Sequence, residues 1–269
     1  MTLGLRPEAP VNKPVRLLLA ILLILLAIPW SDGARQDRAI PFHPPDGAHW
    51  LGTDGFGRDV LTRLVAGTRA SLAAGLLATA LALAVATVLG ALAGYYPGWR
   101  DEFAMRLAEL FQSLPWLYLV LGIRSVLPLS LPPSLALLGI ALVSGLTGWT
   151  RPARLVRGVV LSARTRDYVL AARAFGAGDL YLLRRHILPE TFPVLAVQAS
   201  VLLPQFILAE VTLSFLGLGI GEPAPSLGGM LSALRDLSVL STYPWMLSPA
   251  VVLLLTLTGC NWLTRHSNR

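Results

Sequence analysis

Charged residues, lysine and cysteine are all scarce in this 269-residue chain, and each scarcity excludes a class of protein. Only 14% of the residues are charged against 54% hydrophobic, and the mean hydropathy of +0.63 is too high for an ordinary soluble domain. Lys13 is the sole lysine, so the chain lacks a Gly-x-x-x-x-Gly-Lys-Ser/Thr nucleotide loop. The single Cys260 excludes an internal disulfide and a cysteine-pair metal site. We therefore predict an integral membrane protein that hydrolyses no nucleotide itself.

The net charge of +7 does not indicate nucleic-acid binding. The basic residues lie in the joints between apolar runs and are not interleaved with exposed aromatic residues. The four histidines are scattered along the chain, at positions 43, 49, 186 and 266, so they predict neither a metal site nor a catalytic cluster. We expect no nucleic-acid partner, no metal and no catalytic residue.

Six apolar stretches are predicted to cross a membrane. The first, residues 17–30, is short and looks like a signal peptide, but no small-x-small cleavage site follows closely, so we interpret it as an uncleaved span. It belongs to residues 1–66, which also hold the N-terminal tail and an external interfacial segment. The other five spans form a core, residues 67–264, and lie near residues 70–99, 103–124, 134–150, 192–219 and 237–264.

Two short helices are predicted outside the spans. The first would lie on the membrane surface before the second span, because apolar and charged residues there occupy opposite faces. Those faces are Val60, Leu61, Leu64 and Val65 against Arg58, Asp59 and Arg63. The second helix is expected near residues 230–234, in the external loop after the fifth span.

The distribution of basic residues predicts the orientation. Most of the 22 basic residues lie in the N-terminal tail, after the second span, in residues 151–189 and at the C-terminal end. With six spans, all four places fall on one side, and basic joints mark the cytoplasmic side. We predict an all-α integral membrane protein with six transmembrane helices and both termini in the cytoplasm.

Three polar residues within the predicted spans are candidates for lining a pathway. Gln112 and Arg124 lie in the third span, and Glu210 lies in the fifth. Arg124 is close to a proline-rich boundary, so it either snorkels outward or faces a polar cavity. Glu210 should face other helices or a cavity, because a carboxyl group against lipid is costly. It is either a gating residue or a protonated structural one.

Residues 151–189 form an arginine-rich joint that predicts a helix, a tight turn and a second helix. Tyr168, Ala171, Ala172 and Phe175 recur at helical spacing on one face, with Arg166 and Arg173 off that face. Gly176 and Gly178 would then stop the helix, Asp179 would cap the next one, and Pro189 suits the first turn of the fifth span. The joint is either a solvated connection or a docking surface, and the ordered small residues favour docking.

Four stretches together resemble one family. LAARAFGAGDLYLLRRHILP is similar to the cytoplasmic EAA loop of ABC importer permeases. The motif residues that match are Ala171, Ala172, Gly176, Leu188 and Pro189. His186, in the form HILP, is typical of the dipeptide, oligopeptide and nickel group, which LGTDGFGRDVLTRLVAGTRASL, AGYYPGWRDE and AEVTLSFLGLG also resemble. The resemblance covers about residues 45–262. Leu170 replaces the usual acid of the motif, which puts in doubt any salt bridge made there.

The resemblance implies the fold and the function. We expect a type I ABC importer permease fold in a bacterial inner membrane, with this chain forming half of a pathway for peptides or a similar small solute, nickel included. It implies a second, related permease chain, two ATP-binding subunits docked on the 151–189 loop, and an extracytoplasmic binding protein. ATP would be used by the partner subunits, and this chain would bind no cofactor.

Two other classes of protein remain open on the residues alone. A secondary carrier would also be helical, but it should show intramembrane charge pairs or a repeated half, and neither is evident. An integral membrane enzyme would need a nucleophile, a dyad or a metal cluster at membrane depth.

Overall fold

A computed structural model describes residue 37 and residues 40–115, 118–119, 122 and 132–267. The predicted first span and Arg124 lie outside these residues. The described residues form ten α-helices and no β-strand. They are α1 Val60–Tyr95, α2 Trp99–Ser113, α3 Pro133–Gly148, α4 Thr150–Ala163, α5 Asp167–Ala174, α6 Asp179–Leu182, α7 Leu188–Phe215, α8 Leu227–Ser232, α9 Leu237–Thr242 and α10 Ser248–Ser267.

Helix α1 is continuous over 36 residues, so the prediction of a separate surface helix before the second span is wrong. Its start is fixed by Asp59, whose carboxylate accepts the backbone N–H of Thr62 at 2.7 Å. The apolar stripe packs into the protein, since Val60 and Leu64 share a buried cluster with residues of α7 and α8. A helix of this length is about 54 Å long, more than the apolar thickness of a bilayer.

Close approach of α4 to α1 depends on two glycines of α1. A Cβ atom at Gly90 would lie 2.5 Å from the carbonyl oxygen of Ala153, and one at Gly94 would lie 2.8 Å from that of Arg157. Neither distance is compatible with a side chain. Helices α3, α4 and α7 all pack against α1, which is therefore the central helix of the described fold.

Helix α4 occupies the first third of the arginine-rich joint, which we expected to be a loop. It follows α3 after a bend of 44° at Trp149. Pro152 accounts for the bend, because it lacks an N–H and its ring clashes with the carbonyl group four residues earlier. The face of α4 that carries Val156 and Val160 is buried against the end of α1. Residues 150–163 thus extend the fourth predicted span.

Helices α1 and α6–α7 are long and apolar enough to cross a membrane, and the bent α3–α4 pair makes a possible third span. The α6–α7 span is one helical rod, residues 179–215, because a π-turn, Leu183–Ile187, joins its two parts. The total of six spans stays a prediction.

Two predicted spans have different ends in the structure. The last one starts later than residue 237, because the chain breaks at Tyr243 and α10 begins only at Ser248. The third predicted span begins as α2, which stops at Ser113 before Pro115. The short helix expected near residues 230–234 is confirmed as α8, followed by a 3₁₀ turn, Ala233–Arg235.

A buried charge cluster joins the start of α1 to the loop before α8. The guanidinium groups of Arg58 and Arg63 are almost fully buried. Arg58 donates to Asp54 at 2.7 Å and to Glu222 at 2.5 Å, and Arg63 donates to Glu222 at 3.1 Å. Residues 54–63 and residue 222 are thereby held together.

Replacing Glu222 with alanine is expected to destabilise this region. Two buried guanidinium groups would lose a carboxylate, which costs about 2 kcal/mol once the half-exposed position of Glu222 is allowed for. Thermal unfolding of the purified protein should show a loss of about 5 °C. The control is Glu102→Ala in the exposed pair with Arg106, where we expect a shift near zero. Equal shifts in both variants would contradict a structural role for the cluster.

Candidate functional site

Helix α5 and its stop confirm the predicted helix and turn. The helix is anchored by Val169, which is fully buried in a cluster with Val160 and Leu182. It ends in a Schellman motif, in which Gly176 has φ +86° and Ala177 donates its N–H to the carbonyl oxygen of residue 172 at 3.1 Å. A residue with a Cβ atom would be strained at Gly176. The turn is therefore rigid and locally encoded.

Asp179 does not cap α6 as predicted. The N-cap residue is Gly178, and Asp179 is the first residue of the helix. Its carboxylate accepts the hydroxyl group of Tyr95, at the end of α1, at 2.6 Å. Arg173 of α5 donates to the same Tyr95 hydroxyl at 2.9 Å. This three-residue contact ties α5 and α6 to α1.

Several arginines of the joint are used inside the chain. Arg157 makes two 2.5 Å hydrogen bonds to the Asp101 carboxylate of α2. Arg166 donates to Glu190, in the first turn of α7, at 3.1 Å, and Tyr168 donates to the same carboxylate. These side chains fix the joint to its own span helices, so they are not free charges on a docking surface.

Aromatic side chains are exposed at the tip of the joint. Phe175 directly follows α5, and its side chain is 93% exposed. Together with Ala172, Gly176, Ala177, Tyr181 and His186 it lines an open groove. The His186 ring lies 6.0 Å from the ring of Tyr168 and 5.7 Å from that of Tyr181. We call Tyr168, Phe175, Tyr181 and His186 the aromatic patch.

The remaining predicted residues of the joint lie beside the patch or behind it. Ala171 is exposed on α5, and Ala172 is half-buried against the cluster under the helix. Leu188 and Pro189 form the first turn of α7, as predicted for Pro189. The patch is thus carried on a helix pair that continues without a break into a membrane-length helix.

A cleft of about 600 Å³ with a mixed polar and apolar lining lies between α2, α3, α4 and α7. We call it the polar cleft because its polar side chains are the ones that could bind a solute. Gln112 lies in this cleft and donates to the Thr150 hydroxyl at 3.2 Å. Gln112, a predicted candidate for lining a pathway, thus lies in a cleft between helices, and its role in a pathway stays a prediction. Arg151 and Gln205 also line the cleft, and the sequence pattern did not single them out. The only available signal was a polar residue inside an apolar run.

Glu210 does not line the polar cleft. Its side chain is fully buried, and its Oε1 atom accepts the Ser214 hydroxyl at 2.7 Å. The fully buried hydroxyl of Ser71 on α1 faces the Glu210 carboxyl group. This site favours the structural interpretation of Glu210 between α1 and α7. In the described part of the chain, no three histidine, cysteine or acidic residues form a group that could hold a metal ion.

Residues 86–269 match the family of binding-protein-dependent transport system inner membrane components. The chain belongs to that family. It is an all-α integral membrane permease subunit of an ABC importer, as the sequence motifs indicated, and not a secondary carrier. The family is a transport family and not a family of enzymes. Its members work with a binding protein, and the chain is a multi-pass inner-membrane component.

Curated relatives match most of the permease. It is 36% identical over 253 residues to the oligopeptide transport system permease protein OppC of Bacillus subtilis, covering 92% of this chain and 80% of the relative. It is 39% identical over 221 residues to the dipeptide transport system permease protein DppC of the same species, covering 82% of this chain and 67% of the relative. It is 35% identical over 219 residues to the glutathione transport system permease protein GsiD of Pectobacterium atrosepticum, covering 81% and 70%.

A solved structure shows the same fold. A chain of the MetNI methionine ABC transporter, in an inward-facing conformation, aligns with a TM-score of 0.51 and 19% identity. The alignment covers 78% of the permease and 98% of that chain. This similarity supports the type I importer permease fold.

Tyr95→Phe is expected to weaken the link between the joint and α1. The variant keeps the ring but loses the hydroxyl that binds both Asp179 and Arg173, a loss of about 1 kcal/mol per hydrogen bond. We expect the amount of solute moved per ATP hydrolysed to fall about threefold in the reconstituted complex. The control is Tyr96→Phe, whose hydroxyl makes a single, exposed 3.4 Å contact. A ratio unchanged in Tyr95→Phe would show that this link carries no motion.

Proposed function

We propose that this permease forms half of a translocation pathway for small peptides, together with a second, related permease chain. Two separate ATP-binding subunits supply the energy, and an extracytoplasmic binding protein delivers the solute. The chain itself binds no cofactor. The named relatives, which are oligopeptide, dipeptide and glutathione permeases, support a peptide solute. Nickel is the alternative solute that the motifs allow.

The aromatic patch carries the proposed contact with an ATP-binding subunit. Three neighbouring aromatic side chains of the patch, Tyr168, Phe175 and Tyr181, are exposed, and contiguous apolar surface of this kind marks a protein interaction site. Arg166 and Arg173, on the helix that carries the patch, are engaged within the chain, whereas Arg184 and Arg185, beside His186, are exposed. Contact would therefore rest on shape, aromatic burial and these exposed arginines, and not on the usual acid of the motif, which Leu170 replaces.

Motion at the patch has two routes into the membrane. The first is the rod of residues 179–215, in which α6 continues into α7. The second is the contact of Asp179 and Arg173 with Tyr95 at the end of α1. Rigid helices that share such fixed contacts move together, so displacement of the patch would shift both walls of the bundle.

The proposed orientation places both termini and the aromatic patch in the cytoplasm of a bacterial cell. Six spans are needed for this arrangement, including the first, residues 17–30. The basic residues of the joint support it, because cytoplasmic loops carry an excess of arginine and lysine.

Purification of the native complex through a tag on this chain tests the proposal. We expect two ATP-binding subunits, a second permease chain, and uptake of a labelled tripeptide into vesicles that requires both ATP and the binding protein. Uptake driven by an ion gradient without ATP would overturn the proposal. Uptake of Ni²⁺ and not of tripeptide would replace the peptide by the metal ion as solute.

A further inference from the structure

The polar cleft contains a single charged side chain among its lining residues. That residue is Arg151, in the first turn of α4, and its side chain is exposed. In the described part of the chain it forms neither an ion pair nor a side-chain hydrogen bond. The other polar groups of the lining are neutral: Gln112, Ser144, Thr147, Thr150, Gln205 and Thr212.

Arg151 lies deeper in the bundle than the end of α1. Arg157 is level with Gly94 near the end of α1, because its carbonyl oxygen is 2.8 Å from the position of a Cβ atom on that glycine. Arg151 comes six residues earlier on the same helix, about 9 Å deeper at 1.5 Å per residue. It is therefore level with the uncharged part of α1. A guanidinium group at this depth is costly against lipid and belongs in a cavity or a water-filled path.

The lining gives an anion favourable partners and gives a bare cation few. No carboxylate lines the cleft among the described residues, and the rest of the lining combines neutral hydroxyl and amide groups with apolar side chains. Arginine recognises carboxylates through paired N–H donors in a fixed fork. A divalent cation would meet repulsion from Arg151 without a compensating acid.

We infer that Arg151 is a specificity-determining residue of the pathway, which interacts with a carboxylate of the passing solute and disfavours bare divalent cations. The inference rests on the proposed transport function and adds the chemistry of the solute to it. The carboxylate is the group that the cleft recognises, and the neutral polar and apolar groups along the rest of the cleft tolerate varied side chains.

Charge-selective labelling of the cleft tests the inference without the binding protein. In a Cys260→Ala background, Gln205→Cys places the sole thiol of this chain on the cleft wall, and labelling is measured on this chain after it is separated from the other subunits. Anionic and cationic methanethiosulfonates are then applied to the purified complex. We expect the anionic reagent to be favoured, and Arg151→Gln to lower the anionic-to-cationic rate ratio about tenfold, because one unit charge is removed nearby. Arg151→Lys should keep most of the ratio.

Two controls accompany the labelling. Arg154→Gln removes the same charge from the same helix outside the cleft and should leave the ratio unchanged. Leu254→Cys, on an exposed apolar face of α10, should react slowly with both reagents. No labelling at Gln205→Cys would overturn the inference, because the cleft would then be closed to water. A ratio independent of Arg151 would overturn it as well, as expected if a lipid phosphate neutralises the guanidinium group.

Transport by the complex gives a second readout. Trialanine and trialanine amide are compared, since only the first has a free carboxylate. We expect Arg151→Gln to lower trialanine uptake about fivefold and leave amide uptake nearly unchanged, with partial rescue by lysine. An equal loss for both solutes would reduce Arg151 to a structural residue and overturn the inference. Absence of ATP-dependent uptake in the wild type would instead refute the proposed function, while the labelling result would still stand.

Discussion

Replacing Phe175 with alanine is expected to abolish ATP-driven uptake while the permease remains folded in the membrane. The side chain is 93% exposed and its loss removes no buried contact within the chain, so stability should change by less than about 0.5 kcal/mol. Central aromatic anchors of interfaces contribute 2 kcal/mol or more. The affinity for an ATP-binding subunit should therefore fall about thirtyfold or more. Co-purification of that subunit and vesicle uptake are the two measurements.

Phe103→Ala provides the matched control for this variant. Phe103 is also largely exposed, but it lies on α2 outside the aromatic patch. We expect normal co-purification and uptake from it. If Phe175→Ala retained both the ATP-binding subunit and uptake, the aromatic patch would not be the docking surface. If both variants lost uptake with the complex intact, the effect would belong to exposed aromatics in general.

The features that the sequence predicted best are those encoded by neighbouring residues. Helix α5 and its stop follow from a helical repeat over residues 168–175 and a glycine at the position that needs positive φ. The start of α7 at Leu188–Pro189 is also encoded by neighbouring residues, because proline is favoured in the first turn of a helix. Each of these signals lies within about one helical turn of the structure it specifies.

The features that the sequence did not reveal depend on partners far along the chain. Arg63 looked like a solvent-facing residue on an amphipathic helix, but Glu222, 159 positions later, makes its burial possible. Asp179 looked like a cap, but its carboxylate binds Tyr95, 84 positions earlier. A helical pattern shows that two residues lie on one face, and it does not show what that face meets.

The residues that line the candidate pathway were also only partly predicted from the sequence. Gln112 and Glu210 were grouped because both are polar and lie in apolar runs, yet only Gln112 lines the polar cleft. Arg151 was assigned to a loop because the 44° bend at Trp149 was not foreseen. Which polar residues share a cleft is decided by helix packing, which in this fold depends on small residues of α1.

Alanine at both Gly90 and Gly94 is expected to separate α4 from α1. Substitution of glycine by alanine within a helix ordinarily stabilises by about 0.5–1 kcal/mol. Here the new Cβ atoms would lie 2.5 Å and 2.8 Å from backbone carbonyl oxygens of α4, so the helix itself must move. Overpacking of this kind costs about 1–3 kcal/mol per site. We expect a net loss of about 3 kcal/mol, seen as a melting temperature about 10 °C lower in detergent.

Gly158→Ala, on the partner helix α4, is the control that separates the effect of packing from that of helix propensity. Its change in stability is expected to have the opposite sign. Gly158 lies on α4, and a Cβ atom there would meet no atom within 4 Å. This variant should melt at the same temperature as the wild type or slightly higher, since only the gain in helix propensity applies. Equal melting temperatures for Gly158→Ala and the Gly90/Gly94 double variant would refute the close packing of α1 and α4. Lower stability of the double variant together with loss of uptake would show that the position of α4, which carries both Arg157 and Arg151, has to be held by α1 for transport.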